Sequence, residues 1–152
     1  MIPNDVVAAA QASHKKFWPK GPFVSVSLAQ WALESNWGKS PSGINNFWGI
    51  QANAEQKATG HFRSRLSFEF VNGQRVSRVE DFANYATLQD GFDAHATLLC
   101  KPHYAACMQA QTPEAYCAAL HICGYATAPN YSTVLIDIIR SNTLKQWDQP
   151  IP

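Results

Sequence analysis

The sequence predicts a mostly α-helical protein of the α+β class with one small β-hairpin. Apolar residues recur at helical spacing in several segments, and an Asn-Gly pair at 72–73 separates two runs that are rich in β-branched and aromatic residues. No internal repeat or low-complexity linker divides the chain. With 152 residues, 46% of them hydrophobic, the chain is long enough for one sizeable core and short for two. We therefore expect a single domain, residues 1–152.

The elements before and within the hairpin follow from local signals. A first helix is predicted over residues 3–16, with Asn4 or Asp5 as its N-cap. Residues 40–51 resemble a loop in which aromatic and amide side chains stand next to one another. Residues 61–85 contain the hairpin, because Asn-Gly between two β-rich runs is the strongest short-range signal for a tight turn.

Helical patterning resumes after the hairpin. One helix is predicted over 87–99 and another over 112–121, where Thr112 suits the N-cap and Pro113 suits the first helical position. A last helix starts near Pro129. Its apolar face is formed by Tyr131, Val134, Leu135, Ile138 and Ile139.

The second helix places one carboxylate, Glu34, in an otherwise apolar, Trp-rich pattern. Its helical spacing is set by Leu28, Trp31, Ala32 and Ser35. Ser27 is the expected N-cap and Gly38 the expected stop, so Glu34 falls in the last turn. Burial against Leu33 and Trp37 would raise the pKa of Glu34 toward the range in which a carboxylic acid donates a proton to a leaving oxygen. The local pattern leaves a solvated surface glutamate as the other interpretation.

Composition excludes some classes of function. Twelve Lys and Arg against eleven Asp and Glu give a net charge of +1, which argues against a nucleic-acid partner that needs a broad basic face. Five Trp, five Tyr and eight Phe exceed the needs of a modest core, and aromatic faces suit the apolar faces of sugar rings. No motif calls for a cofactor or a metal.

The N-terminal residues carry no pattern of a secretory signal. They lack a basic region, and the longest apolar run there is residues 6–10. No stretch approaches the roughly 20 apolar residues of a membrane-spanning helix, so no membrane insertion is expected. If the substrate lies outside the cytoplasm, we expect either a separate delivery device or a leader that was trimmed.

Three sequence blocks together resemble a known family. Residues 28–40 (LAQWALESNWGKS), 45–50 (NNFWGI) and 124–131 (GYATAPNY) look like the glucosaminidase family of bacterial peptidoglycan hydrolases, glycoside hydrolase family 73, and occur in its order. The resemblance covers roughly residues 25–140. Ala128 departs from the Asp that is usual in the family, and Trp48 is inserted where a shorter Asn-Phe-Gly form is common.

The resemblance implies a lysozyme-like fold that cleaves the β-1,4 bond between N-acetylglucosamine and N-acetylmuramic acid. Glu34 then corresponds to the general acid. The second carboxylate of such enzymes lies on the β-lobe, where Glu69 is the best match and Glu80 and Asp81 are reserves. Tyr125 matches a tyrosine that lines the catalytic cleft.

The same blocks supply candidates for substrate binding, and they leave the mechanism open. Phe47, Trp48 and Tyr131 are candidates for sugar contacts or for packing beneath the cleft, and Asn46 is assigned to substrate binding with them. Glycosidic cleavage needs one carboxyl group to protonate the leaving oxygen and another to stabilise charge or activate water. Retaining, inverting and substrate-assisted routes all remain open.

The four cysteines support weaker alternatives. Cys100, Cys107, Cys117 and Cys123 allow three complete disulfide pairings, and the sequence does not choose among them. Their spacing with nearby histidines lacks the CxxC pair that is typical of zinc sites. A Cys-His peptidase acting on peptide cross-links is an alternative enzyme class, and a wall-binding module without catalysis is the alternative outside enzymes.

The expected partner is the peptidoglycan glycan strand, and the expected place of action is the periplasm of a target bacterium. A small hydrolase of this kind fits an antibacterial effector secreted without a signal peptide, as by a type VI apparatus, or a phage endolysin. In the effector case, a cognate immunity protein that blocks the cleft is expected as a second partner.

Overall fold

The structure, a computed structural model, describes residues 1–148, and within them it leaves out the side chains of Glu69 and Phe70. The regular elements of this part are α1 (Asn4–Phe17), α2 (Val24–Glu34), α3 (Ala54–Thr59), β1 (Phe62–Val71), β2 (Gln74–Ala83), α4 (Leu88–Leu99), α5 (Ala105–Met108), α6 (Pro113–Ile122) and α7 (Tyr131–Ser141). Single 3-10 turns, Pro102–Tyr104 and Leu144–Trp147, precede α5 and follow α7. The predicted class, mostly α with one hairpin, is confirmed.

The centre of the fold is α2. All its residues from Val24 to Ala32 are buried, and it packs against α1, α6 and α7. Leu28 has no exposed surface, and Leu135 of α7 is equally buried. Because neighbouring elements cover α2 on almost every side, only its C-terminal end reaches the surface.

The N-caps predicted for the first two helices are wrong, and the second helix also begins earlier than predicted. The second helix begins at Val24 with Phe23 as its N-cap, so Ser27 lies inside it. Burial of the added turn, including Val26 with no exposed surface, outweighs the preference of Ser27 for a cap. The first helix has Pro3 at its N-cap and no capping side chain, in place of the expected Asn4 or Asp5.

Two later helices are capped by a threonine, and the cap predicted at Thr112 is confirmed. The Thr87 side chain accepts a hydrogen bond from the backbone N–H of Asp90 at 3.0 Å, and α4 begins one residue after Thr87. Thr112 accepts from the N–H of Ala115 at 3.1 Å, with Pro113 at the first position of α6. Helix α3 was not predicted from the sequence. It begins with a capping box between Asn53 and Gln56, and none of its residues is buried.

The hairpin is a two-stranded antiparallel ribbon that forms a lobe on the helical body. Its register pairs Phe62 with Ala83 at the base and Val71 with Gln74 at the turn. Asn72 and Gly73 take positive φ values of 52° and 78°, as a tight primed turn requires, so the predicted turn is confirmed. Among the described side chains of both strands, Ala83 alone is buried.

Within the described chain, no helix combines the length and the apolarity that crossing a bilayer would require.

Candidate active site

Glu34 is the last residue of α2, as the spacing predicted. The chain reverses immediately after it, because Asn36, Trp37 and Gly38 take φ values of 50°, 58° and 82°. A side chain at Gly38 would meet the Trp31 ring at 2.7 Å, so this left-handed position has no room for a Cβ. The reversal leaves Glu34 at the exposed end of a buried helix.

The carboxyl group of Glu34 is open to solvent on one side and held by protein on the other. The Tyr131 hydroxyl donates a hydrogen bond to Glu34 Oε1 at 3.0 Å. Burial raises the pKa of Glu34 above its ordinary value, and the hydrogen bond from Tyr131 opposes that rise. The side chain still has substantial solvent-accessible area, but the protein around it removes enough water to make the charged form less favourable than it is in free glutamate.

The predicted direction of this pKa shift agrees with the structure, but its surroundings differ from those expected. Trp37, one of the two residues expected to bury Glu34, is 37% exposed. The hydrogen bond to Glu34 comes instead from Tyr131 of α7, almost a hundred residues further along the chain. Desolvation of Glu34 is therefore a property of the tertiary fold rather than of its own helix.

Two tyrosines stand beside this carboxyl group. The rings of Tyr125 and Tyr131 are stacked, with centroids 5.8 Å apart and planes 21° apart. Burial raises the pKa of Tyr125 well above its usual value, and the charge of Glu34 adds to that rise. The same two causes, burial first, raise the pKa of Tyr131. Both phenols are thus neutral hydrogen-bond donors near Glu34, and the structure brings these three predicted site residues together.

A chain of buried polar groups lies behind Tyr131. Gln30 Nε2 donates to the Tyr131 hydroxyl oxygen at 3.0 Å, and His95 Nε2 lies 2.9 Å from Gln30 Oε1. Sequence reasoning missed both Gln30 and His95. The i, i+4 spacing of Gln30 and Glu34 on one helix was an available signal, whereas nothing local connects His95 to this site.

The structure corrects the assignment of Asn46 to substrate binding. Its side chain has no exposed surface, and it donates to the carbonyl oxygens of Ile50 and Ala83 at 2.8 and 2.9 Å while accepting from the Ile50 N–H at 3.1 Å. Every one of these partners is backbone. Asn46 therefore joins the aromatic loop to the base of β2 and has no surface left for a sugar.

The two aromatic residues of this loop differ in burial. Trp48 is 5% exposed, stacks on His95 at 4.8 Å and meets Phe92 edge to face, which is the second of the roles considered for it, packing beneath the cleft. Phe47 is partly exposed and lies between Trp31 and Trp48, each 5.8 Å away between ring centroids. A sugar contact remains a prediction for Phe47.

The second carboxylate stays a prediction. Glu69 pairs with Val76 in the hairpin register, but its side chain lies outside the described residues. Of the two reserves, Asp81 accepts from the Ser64 hydroxyl at 2.5 Å and lies 3.9 Å from Lys57 Nζ, whereas Glu80 is partly exposed on the opposite face of the ribbon.

Three of the four cysteines do not suit the peptidase alternative. All four are free thiols. Burial raises the pKa of both Cys107 and Cys117 to about 12, so these groups stay protonated at neutral pH. Burial also raises the pKa of Cys100, which is partly exposed. A nucleophilic cysteine needs the opposite shift.

With the site described, comparison with known proteins identifies the class. Residues 9–144 match the profile of the family described as Glucosaminidase, mannosyl-glycoprotein endo-beta-N-acetylglucosaminidase. This match covers most of the chain. The protein therefore belongs to the glucosaminidase family of glycoside hydrolases, which confirms the resemblance found in the sequence.

Individual relatives agree with this assignment. The chain is 34% identical over 122 residues to the peptidoglycan hydrolase FlgJ of Salmonella typhimurium, covering 74% of this chain and 37% of FlgJ. It is 29% identical over 136 residues to the exo-glucosaminidase LytG of Bacillus subtilis, covering 84% of this chain and 47% of LytG. The chain thus spans less than half the length of these curated relatives.

A solved structure shows the same fold. The catalytic domain of the autolysin Auto from Listeria monocytogenes superposes with a TM-score of 0.80 at 27% identity, over 95% of this chain and 84% of that domain. The hairpin and the helices around Glu34 thus belong to a known catalytic-domain architecture.

Proposed function

We propose that this protein hydrolyses the β-1,4 bond between N-acetylglucosamine and N-acetylmuramic acid in peptidoglycan, with Glu34 as the general acid. The observation that carries the proposal is the environment of Glu34, an accessible carboxyl group whose pKa is raised by burial while the Tyr131 hydroxyl holds its Oε1 at 3.0 Å. A general acid must be protonated near the working pH and must reach the leaving oxygen. Membership of the glucosaminidase family supports the choice of bond.

The residues of the site divide the chemistry between them. Glu34 protonates the glycosidic oxygen as the bond to the anomeric carbon breaks, and the ring carbon develops oxocarbenium character. Tyr125 and Tyr131 are neutral phenols, so they add no charge beside Glu34, and the Tyr131 hydroxyl donates a hydrogen bond to Glu34 Oε1. Glu69 is proposed as the group that stabilises the positive charge or activates water.

Digestion of purified peptidoglycan tests this proposal. The wild type and Glu34→Gln are incubated with intact wall, the products are reduced with borohydride, and the fragments are identified by mass spectrometry. We expect reduced N-acetylglucosamine ends from the wild type only. Reduced muramic ends would replace the proposed bond with that of a muramidase, new peptide ends would assign the activity to a peptidase, and an uncleaved wall would favour a binding module.

We also propose that the hydrolase acts as an antibacterial effector in the periplasm of a target cell, with a cognate immunity protein that blocks the cleft. The support is the proposed substrate, because cutting glycan strands weakens a wall that is reached from the periplasm. Expression directed to a host periplasm should cause lysis that cytoplasmic expression and the Glu34→Gln variant do not cause. Survival of cells with wild-type protein in the periplasm would count against the effector role.

A further inference from the structure

Three buried polar side chains from three different helices form a continuous line behind Glu34. Tyr131 of α7 contacts Glu34, Gln30 of α2 contacts Tyr131, and His95 of α4 contacts Gln30. The three donor–acceptor distances are 3.0, 3.0 and 2.9 Å, all within the range of good hydrogen bonds. Gln30 and His95 have no exposed surface, and Tyr131 is 4% exposed.

The direction of each hydrogen bond can be assigned by starting at His95, the member of the line that is farthest from Glu34. Burial lowers the pKa of His95 to about 3, so the ring is neutral and carries one N–H. Gln30 Oε1 can only accept, so the proton of His95 is on Nε2. The amide nitrogen of Gln30 then faces Tyr131 and donates to its oxygen. The single hydroxyl proton of Tyr131 is left to point at Glu34.

The ring of His95 is itself held in place. It stacks on Trp48, with ring centroids 4.8 Å apart and planes 16° apart. Trp48 is in turn packed edge to face against Phe92 of α4. The far end of the line is therefore fixed by the aromatic loop and the near end by the carboxyl group, which leaves Gln30 little freedom to rotate its amide.

We propose that Gln30 and His95 are positioning residues that act through Tyr131 to hold the Glu34 carboxyl group in one orientation for proton donation. The proposal rests on the function proposed for Glu34. A buried polar group costs about 1–3 kcal/mol when it lacks a partner, and the three side chains offset much of that cost by bonding to one another, although the described residues offer His95 Nδ1 no hydrogen-bond partner. Together, these bonds direct the hydroxyl proton of Tyr131 toward Glu34 Oε1.

A double-mutant cycle on Gln30 and Tyr131 tests the proposal. Gln30→Leu keeps the approximate size of the side chain and removes its hydrogen bonds, and Tyr131→Phe removes the hydroxyl. The readout is the pKa of Glu34, followed by NMR in protein carrying ¹³C-labelled glutamate, with the Glu34 signal assigned by its loss in Glu34→Gln. Two titratable groups face Glu34 among the described residues. Tyr131 donates a hydrogen bond to it, and the charge of Glu34 acts on both Tyr131 and Tyr125.

The proposal predicts a non-additive result. Tyr131→Phe should raise the pKa of Glu34, because the hydrogen bond from Tyr131 favours the charged form. Gln30→Leu should raise it in the same direction, and the double variant should raise it no further than Tyr131→Phe alone. An unchanged pKa in Gln30→Leu, or two shifts that simply add, would overturn the proposal.

A pair of His95 variants covers the case in which Gln30→Leu does not fold. His95→Gln keeps an N–H donor near the position of Nε2, whereas His95→Leu removes it. We expect His95→Leu to raise the pKa of Glu34 and to lower kcat several-fold at unchanged KM, and His95→Gln to restore both toward the wild-type values. Equal behaviour of the two variants would leave His95 with a packing role only and would refute its part in the proposal.

The titration separates this proposal from the function on which it rests. If wild-type protein leaves peptidoglycan uncleaved, the proposed function fails, yet the shifts in the pKa of Glu34 still show whether the line of hydrogen bonds acts on the carboxyl group. If cleavage depends on Glu34 while the pKa ignores Gln30 and His95, the function stands and the positioning role is rejected.

Discussion

The helical body and the β-hairpin lobe differ sharply in how they are stabilised. In the body, α2 is buried along almost its whole length and carries Glu34 at its one exposed end. Among the described side chains of the lobe, only Ala83 is buried, and large apolar side chains such as Leu66 and Val79 are 59% and 66% exposed. The proposed general acid is therefore at the end of a well-packed helix, whereas the predicted second carboxylate, Glu69, is on a ribbon that packs mainly on itself.

The lobe is attached to the body at its base. Ala52 N–H donates to the Asp81 carbonyl at 2.8 Å, and Ala83 N–H donates to the Ile50 carbonyl at 3.0 Å. The buried side chain of Asn46 adds its bond to the Ala83 carbonyl. We therefore expect substitutions in the body to change the geometry of the site, and substitutions near the tip of the lobe to change only the groups that the lobe presents to the substrate.

The largest expected effect is the loss of turnover in Glu34→Gln. General acid catalysis typically contributes about 10²- to 10⁴-fold to a rate, and we expect kcat to fall within or beyond that range while the circular dichroism spectrum stays unchanged. Glu55→Gln, an exposed carboxylate on α3, is the matched control and should retain wild-type activity. Full activity of Glu34→Gln would remove Glu34 from its role.

A matched pair of leucine substitutions compares the two regions directly. Leu28 has no exposed surface, whereas Leu66 is 59% exposed. Leu28→Ala should lower the free energy of unfolding by about 2–5 kcal/mol, and Leu66→Ala should change it by less than about 0.5 kcal/mol. Urea unfolding of both variants measures these values. Similar losses from the two substitutions would show that Leu66 is packed much more tightly than its 59% exposure indicates.

Glu69→Gln tests whether the lobe takes part in the chemistry. We expect a loss of more than about tenfold in kcat, equivalent to 1.4 kcal/mol in the activation barrier, because no other group is assigned to the developing charge. Glu80→Gln, eleven residues further along the ribbon, serves as the control. A smaller loss in Glu69→Gln than in Glu80→Gln would transfer the assignment to Glu80.

The smallest expected effect concerns one ion pair on the body. Lys16 Nζ lies 2.8 Å from Asp93 and joins α1 to α4. Burial raises the pKa of Asp93, but hydrogen bonds from Lys16 and Gln89 outweigh it and hold the pKa below its usual value. The stabilisation is thus present above the usual pKa of 3.8 and is lost as the pH falls through the lowered value.

Asp93→Asn should accordingly cost about 0.2–1 kcal/mol at neutral pH and less in acid. Asp81→Asn, which removes a longer contact to Lys57 at the base of the lobe, is the comparison in the other region. Thermal unfolding at several pH values checks both. A cost for Asp93→Asn that does not change with pH would point to packing rather than to charge.

Features set by neighbouring residues in the chain could be predicted from the sequence. The Asn72-Gly73 turn, the Thr112 cap and the position of Glu34 in the last turn of its helix all depend on local chemistry, and each agrees with the structure. The early start of α2 and the burial of Asn46 could not be predicted, because both depend on the packing of distant segments.

The same reason explains the incomplete prediction of the site. Tyr131 was proposed as a sugar contact or a packing residue, yet its hydroxyl bonds to Glu34 across almost the whole chain. Gln30 was hidden by its apolar neighbours on α2, and His95 by its distance along the chain. The candidate site residues could be named from the sequence, but the contacts that orient them and shift their pKa values are visible only in the folded structure.

We propose that Glu34 acts as a protonated acid at the end of α2. The most direct test is the pH dependence of the initial rate at low peptidoglycan concentration. This rate reports kcat/KM and hence the ionisation of the free enzyme. The account predicts that activity falls as the pH rises through a pKa above 4.5, the ordinary value for glutamate, and that Tyr131→Phe moves this fall to higher pH. A fall at or below 4.5, or one that Tyr131→Phe leaves in place, would contradict it.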